Sequence, residues 1–250
     1  MIANAGVLLE FRGKRYLVDG IHTNHDLEFD GVPETLLERM LSGGGELADL
    51  DYLLFTHDHP DHFSPAMTQT YLQNNLVQGI VLPSSGSRKL EKLRQYTEDA
   101  GIRCISPVLR DGQSETFQLG DARLTISGMR HMGAQFQDVQ SCTLLLDFGG
   151  RTLLFTGDSD YNAGCFAQAL GGTGIDVLFV NPLFYLSTQG RGIIDSQLRP
   201  AHVVVYHLPH AEKDRGRMSS FERTILQETE KQQPPFRLSL LDELGQKITL

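Results

Sequence analysis

Short apolar runs alternate with amphipathic stretches along this chain, and the alternation sets the first expectations. Tyr52-Leu53-Leu54-Phe55, Gly79 to Leu82, Asp176 to Val180 and His202 to Tyr206 have the length and β-branched or aromatic content of buried strands. Between them, Pro33 to Leu41, Ala66 to Leu76, Ser87 to Ala100, Tyr161 to Leu170 and Ser219 to Gln232 place apolar residues at helical spacing. Three hairpins are expected. Ala5 to Phe11 turns through Arg12-Gly13-Lys14 into Arg15 to Asp19, Glu115 to Gly128 turns at Gly120-Asp121, and Ser141 to Phe148 turns at Gly149-Gly150 into Arg151 to Phe155. Strand followed by helix at this spacing predicts βαβ units and an α/β architecture with helices outside the sheets. Two short strands around Glu243-Leu244-Gly245 should close the chain, whereas Leu183 to Arg199 has no clear period and reads as a loop over the site.

No linker or low-complexity segment interrupts the pattern. The 250 residues are therefore read as a single domain over 1–250, with two tightly fused halves also compatible with that length. Hydrophobic content of 40% is that of an ordinary globular chain, and the formal charge of −9 opposes non-specific binding to nucleic acid or an anionic membrane. No apolar run approaches the roughly 18 residues of a membrane span, and the N-terminus lacks a basic region followed by an apolar one, so a cytoplasmic protein is expected. Cys104, Cys142 and Cys165 are widely spaced and odd in number, which suits a reducing compartment and a packing role.

The chemistry concentrates after the run at Tyr52 to Phe55. There Thr56 leads into His57-Asp58-His59-Pro60-Asp61-His62, and Ser64-Pro65 has the form of a helix cap and first position. In extended chain, alternate side chains share a side, so His57 and His59 converge on one cation while Asp58 points away. Beyond Pro60, Asp61 and His62 reach a second. Neutral imidazole and carboxylate suit zinc, and manganese or iron also fits.

The H-x-H-x-D-H stretch resembles the signature of the metallo-β-lactamase superfamily of hydrolases. That resemblance extends in order along the chain. Asp19, at the end of an early strand, matches a carboxylate that orients the metal loop from behind the ligands. His131, straight after the strand Ala122 to Ser127, matches the third motif. Asp158, after Phe155-Thr156-Gly157, matches a carboxylate that bridges two cations, although Asp158 could instead cap the helix that follows; Asp160 is the preferred cap. His207 matches the last histidine, with His210 a weaker alternative and His202 structural. The repeat of Leu53-Leu54-Phe55-Thr56 as Leu153-Leu154-Phe155-Thr156 is compatible with a family built from two related halves.

By this resemblance the fold is a four-layer αββα sandwich. His57, His59 and His131 would hold one Zn2+, Asp61, His62 and His207 the other, with Asp158 between them and Asp61 and Asp158 as the catalytic carboxylates. A dinuclear centre with a bridging hydroxide cleaves an ester, lactone or phosphoester, and its residual positive charge favours a small anionic substrate. His22 and His25, in the polar stretch Ile21 to Gly31, and Arg191 are weaker substrate-binding candidates. His59 stands where the diiron oxygen reductases of the family carry an acid, which argues against redox chemistry. Asp158 stands where zinc β-lactamases usually carry cysteine. The alternatives are a phosphodiesterase or nuclease acting on RNA, which the acidic composition opposes, and a metal-binding regulatory protein without turnover. The sequence does not set an oligomeric state.

Overall fold

The computed structural model describes residues 1–23, 31–208 and 219–250. It opens on a hairpin, β1 (Val7–Phe11) and β2 (Lys14–Val18), paired antiparallel from Phe11↔Lys14 to Val7↔Val18. Arg12 and Gly13 between them both have positive φ, at 48° and 77°, as a two-residue turn that follows the strand twist requires. β3 (Tyr52–Leu54), β4 (Gly79–Val81) and β5 (Arg103–Ile105) then join in parallel, giving the order β1-β2-β3-β4-β5.

Parallel neighbours need crossovers, and helices supply them. α1 (Glu34–Leu41) lies between β2 and β3, α2 (Pro65–Asn74) between β3 and β4, and α3 (Arg88–Asp99) between β4 and β5. Leu17, Leu53 and Ile80 stand side by side in register and share one core with Leu37, Met40, Tyr71, Leu72, Leu90 and Leu93 of the helices. The cap expected at Ser64 is present: its Oγ accepts from Met67 N at 3.5 Å, with Pro65 opening α2.

The second sheet has the order β12-β11-β10-β9-β8-β7-β6. β6 (Ser114–Leu119), β7 (Ala122–Arg130), β8 (Gln140–Asp147) and β9 (Thr152–Phe155) form an antiparallel meander. β10 (Val177–Val180), β11 (His202–Val205) and β12 (Arg237–Leu240) extend it in parallel. Its helices are α4 (Ala163–Leu170), α5 (Pro182–Leu186), α6 (Thr188–Ile193), a π-helical turn at Ile194–Leu198, and α7 (Ser219–Gln232). Leu154, Leu178 and Val203 pack with Phe166, Phe184, Ile194 and Ile225 in a core of its own. The chain divides accordingly into two compact units, Met1–Pro107 and Val108–Leu250. The α/β class expected from the pattern holds, with two sheets flanked by helices. Among the described residues no helix is long and apolar enough to cross a membrane.

Three local expectations are corrected. Leu183 to Arg199 is helical rather than a loop; Gly190 and Gly192 hid the period. Gly190 serves close packing, since a Cβ there would lie 2.0 Å from Phe184 O. The cap of α4 is Asn162, whose Oδ1 accepts from Gly164 N and Cys165 N, while Asp160 Oδ1 accepts from Asn162 N one step earlier. At the C-terminus the strand precedes Glu243-Leu244-Gly245: Asp242 to Gln246 form a turn closed by the Gln246 side chain, and no second strand follows among the described residues.

Candidate metal centre

In the first unit the site begins where β2 and β3 end. Asp19 N donates to Leu54 O at 2.9 Å, which sets Asp19 beside Thr56. Asp19 is fully buried with φ at 47°, a left-handed conformation that a short polar side chain tolerates. Its Oδ1 accepts from Thr56 N at 2.8 Å, and its Oδ2 accepts from Thr56 Oγ1 at 2.7 Å and faces His62 Nδ1 at 3.0 Å. Thr56 Oγ1 gives its one proton to Asp19, so the 3.0 Å contact to His57 Nδ1 has the imidazole as donor. One buried carboxylate thus fixes the proton on Nδ1 of His62 directly and of His57 through a hydroxyl, which leaves both Nε2 atoms with a lone pair.

The loop curls because His59 O accepts from His62 N at 3.1 Å and from Phe63 N at 2.9 Å. That turn packs the His57 ring against those of His59 and His62, with centroids 4.7 and 4.1 Å away. Asp61 Oδ2 lies 3.8 Å from His62 Nε2. Asp58 turns elsewhere and accepts from Ser85 Oγ at 2.5 Å. Ser64 N donates to Ile21 O at 3.0 Å, tying the exit of the loop to the exit of β2.

In the second unit the loops after β7 and β9 are laced together. Met132 N donates to Asp158 O and Asp160 N to Arg130 O, both at 2.8 Å, and His131 bridges Ser159. His131 Nδ1 donates to Met132 O at 2.6 Å, again placing the lone pair on Nε2. That Nε2 lies 3.5 Å from Asp158 Oδ2, and His207 Nε2, two residues past β11 and with φ at 61°, lies 3.9 Å from the same oxygen. The other oxygen, Oδ1, accepts from Asn181 Nδ2 at 3.1 Å.

Separations of 3.5 to 3.9 Å are too long for hydrogen bonds. They are near the ~3.4 Å between two donors of one tetrahedral ion with bonds of about 2.0–2.1 Å. The donor chemistry therefore fits a borderline-soft divalent cation: His62 and His131 are buried, each with Nδ1 engaged and Nε2 beside a carboxylate oxygen, and His207 Nε2 also faces one. Around this set, burial raises the pKa of Tyr161, and the charges of Asp158 and Asp160 raise it further. Burial likewise raises that of Asp160, with Asp111 adding to the shift, while the Asn162 N–H and Arg130 oppose it.

The remaining sequence candidates are placed as follows. His22 is buried and its carbonyl accepts from Val32 N at 3.3 Å. His25 and His210 lie outside the described residues. The Arg191 guanidinium sits 4.8 Å over Tyr185 and 5.4 Å over Phe236, with Asp195 at 3.4 Å, all within the second unit. His202 Nε2 pairs with Ser239 Oγ at 2.9 Å across β11 and β12. Sequence reasoning missed Thr56 and Asn181 as supports. Their positions, one residue before His57 and at the end of β10, were the available signals.

Residues 26–211 match the family described as Beta-lactamase superfamily domain. Three solved structures share the fold. A metallo hydrolase from the hyperthermophilic archaeon Ignicoccus hospitalis KIN4/I aligns with a TM-score of 0.61 at 13% identity, over 99% of this chain and 95% of that one. The metallo-β-lactamase fold protein YhfI from Bacillus subtilis gives 0.58 at 16% identity, over 96% and 90%. CmlA, a diiron β-hydroxylase from Streptomyces venezuelae, gives 0.58 at 18% identity, over 96% of this chain and 52% of that one, so the present chain spans about half its length. Comparison with the curated proteins finds no match.

Proposed function

The chain belongs to the β-lactamase superfamily, and on that premise we propose that it is a metal-dependent hydrolase whose histidines and aspartates hold a pair of divalent cations. The observation that carries the reading is the shared tautomer of His57, His62 and His131. Each has Nδ1 engaged by an oxygen, so each offers Nε2 as a lone pair, as a metal ligand must.

In this reading His57, His59 and His131 would hold one ion and Asp61, His62 and His207 the other, with the Asp158 carboxylate shared by both. Zinc suits the set best, with manganese and iron as alternatives that the same donors accept. Such a pair supplies hydroxide near neutral pH, by lowering the pKa of water toward ~7, and polarises the oxygen of the bond to be cut. The chain's own carboxylates do the rest. Asp61, as a ligand, would help to orient the nucleophile, and Asp158 would offset part of the repulsion between two like charges.

Two divalent ions bring about four positive charges, and Asp61, Asp158 and hydroxide return about three, leaving a positive site within an acidic protein. The substrate is therefore assigned to a small anionic molecule, and the bond to an ester, lactone or phosphoester. Zinc-loaded protein should turn over at least one of these three classes, and kcat/KM for a charged substrate should exceed that of its neutral isostere at moderate salt. Metal binding without hydrolysis across ester, lactone and phosphodiester panels would instead identify a metal-binding regulatory protein. Preference for RNA would identify a phosphodiesterase.

A further inference from the structure

Asn181 closes β10 and is 4% exposed. Its side chain has two separate jobs. Oδ1 accepts from Phe184 N at 2.8 Å and so caps α5, which fixes which end of the amide is oxygen. Nδ2 is then turned to Asp158, donating to its Oδ1 at 3.1 Å and to Gly157 O at 3.2 Å. Capping needs only the oxygen. The amide N–H groups, directed at Asp158 Oδ1 and Gly157 O, are surplus to it, and Ser, Thr or Asp would cap as well.

Resting on the dinuclear reading above, we propose that Asn181 is a positioning residue that makes Asp158 a single-oxygen bridge. With Oδ1 held by Asn181, the carboxylate cannot swing to chelate one ion through both oxygens. Oδ2 alone is presented, at 3.5 Å from His131 Nε2 and 3.9 Å from His207 Nε2. The hydrogen bond also withdraws charge from Oδ1, so the negative charge offered to the cations is both shared and fixed in direction. A charge placed so must hold the pair together. Occupancy of the second ion should then depend on an amide that touches neither.

The test compares wild type with Asn181→Ser and Asn181→Asp. Both substitutes keep an acceptor for Phe184 N, and neither can donate to Asp158 as the amide does: serine is too short, and ionised aspartate has no proton. Zinc affinity is read by competition with a chromophoric chelator, and folding by thermal melting of the metal-free proteins. The expected result is two ions bound by wild type, melting temperatures of both variants close to wild type, and the weaker of the two zinc affinities reduced about 10- to 100-fold in Asn181→Ser. Asn181→Asp should release the second ion at least as readily, because its carboxylate drives Oδ1 of Asp158 out of place. Two equally tight ions in wild type and in Asn181→Ser would overturn the inference while leaving the dinuclear reading intact. A wild type that binds no pair would overturn both. Failure of both variants to fold would make Asn181 a structural cap and overturn the inference alone.

Discussion

Replacing Asp19 by asparagine tests how far one buried carboxylate organises the loop. Asparagine has the same shape and also tolerates the left-handed backbone at φ 47°, so the chain path should survive. The three contacts cannot all survive. Oδ1 and Oδ2 receive Thr56 N, Thr56 Oγ1 and His62 Nδ1 at 2.7 to 3.0 Å, all as acceptors. An amide turns one of these oxygens into a donor, and in either orientation a buried N–H then faces a donor. Leaving one buried donor unsatisfied costs about 1–3 kcal/mol, and the remaining bonds weaken from charge-assisted to neutral, for a total of about 2–4 kcal/mol. That is a large share of the roughly 5–15 kcal/mol that stabilises a domain. It corresponds to about 2–4 °C of melting temperature for each kcal/mol in a chain of this length. The second effect is on the imidazole. If His62 moves its proton to Nε2 to avoid the amide, the ligand lone pair is lost, so zinc affinity should fall about 10- to 100-fold. Urea denaturation of the metal-free protein and chelator competition of the loaded protein measure the two effects separately. An unchanged urea midpoint together with unchanged zinc affinity would refute the claim that Asp19 sets the tautomer of His62.

Three further outcomes follow from the same geometry. Asp158→Ala should lower bound metal, whereas Asp58→Ala, whose carboxylate is turned to Ser85 Oγ, should leave it at the wild-type level by elemental analysis; the reverse order would invert the reading of the loop. Burial raises the pKa of Asp51, but hydrogen bonds from Lys14 and Arg15 N and the charges of both residues outweigh it and hold the carboxyl below the ordinary 3.8. Its folded pKa is thus depressed, so the stability it confers is complete above about 3.8 and is lost as pH falls through the lower folded value. In urea melts the advantage of wild type over Asp51→Asn should hold from pH 7 to pH 5 and shrink below pH 3.8; a constant difference would contradict it. Gly190→Ala would put a Cβ 2.0 Å from Phe184 O and should destabilise the metal-free protein by about 1–3 kcal/mol without altering zinc stoichiometry, as chemical denaturation and elemental analysis can report.

The strand, loop and helix start at Tyr52 to Pro65 were legible because each link is local. An apolar run, alternating histidines and a Ser-Pro cap declare themselves within a few residues. His131, Asp158 and His207 stand out only through the order of family motifs, because a single histidine or aspartate after a strand has no local signature. Thr56 and Asn181 were not recognised as supports because their partners are distant in sequence. Asp19 meets Thr56 only when β2 pairs with β3, and Asn181 meets Asp158 only when β10 pairs with β9. The helices from Pro182 to Leu198 were hidden by Gly190, which serves packing, by Gly192, and by Ser187, which ends α5 and also caps α6, accepting from Gly190 N at 2.8 Å. The strand β12 was displaced in the sequence reading because four residues, Arg237 to Leu240, carry too weak an alternation to compete with the turn that follows.

The central claim of the proposed function is that the chain holds one pair of divalent cations. X-ray absorption at the zinc edge, combined with elemental analysis of the zinc-loaded full chain, tests it most directly. The account predicts about two zinc ions per chain, each with imidazole ligands, and a zinc–zinc scattering path of about 3.5–4 Å. One ion or none per chain, or two ions with no zinc–zinc path in that range, would contradict it.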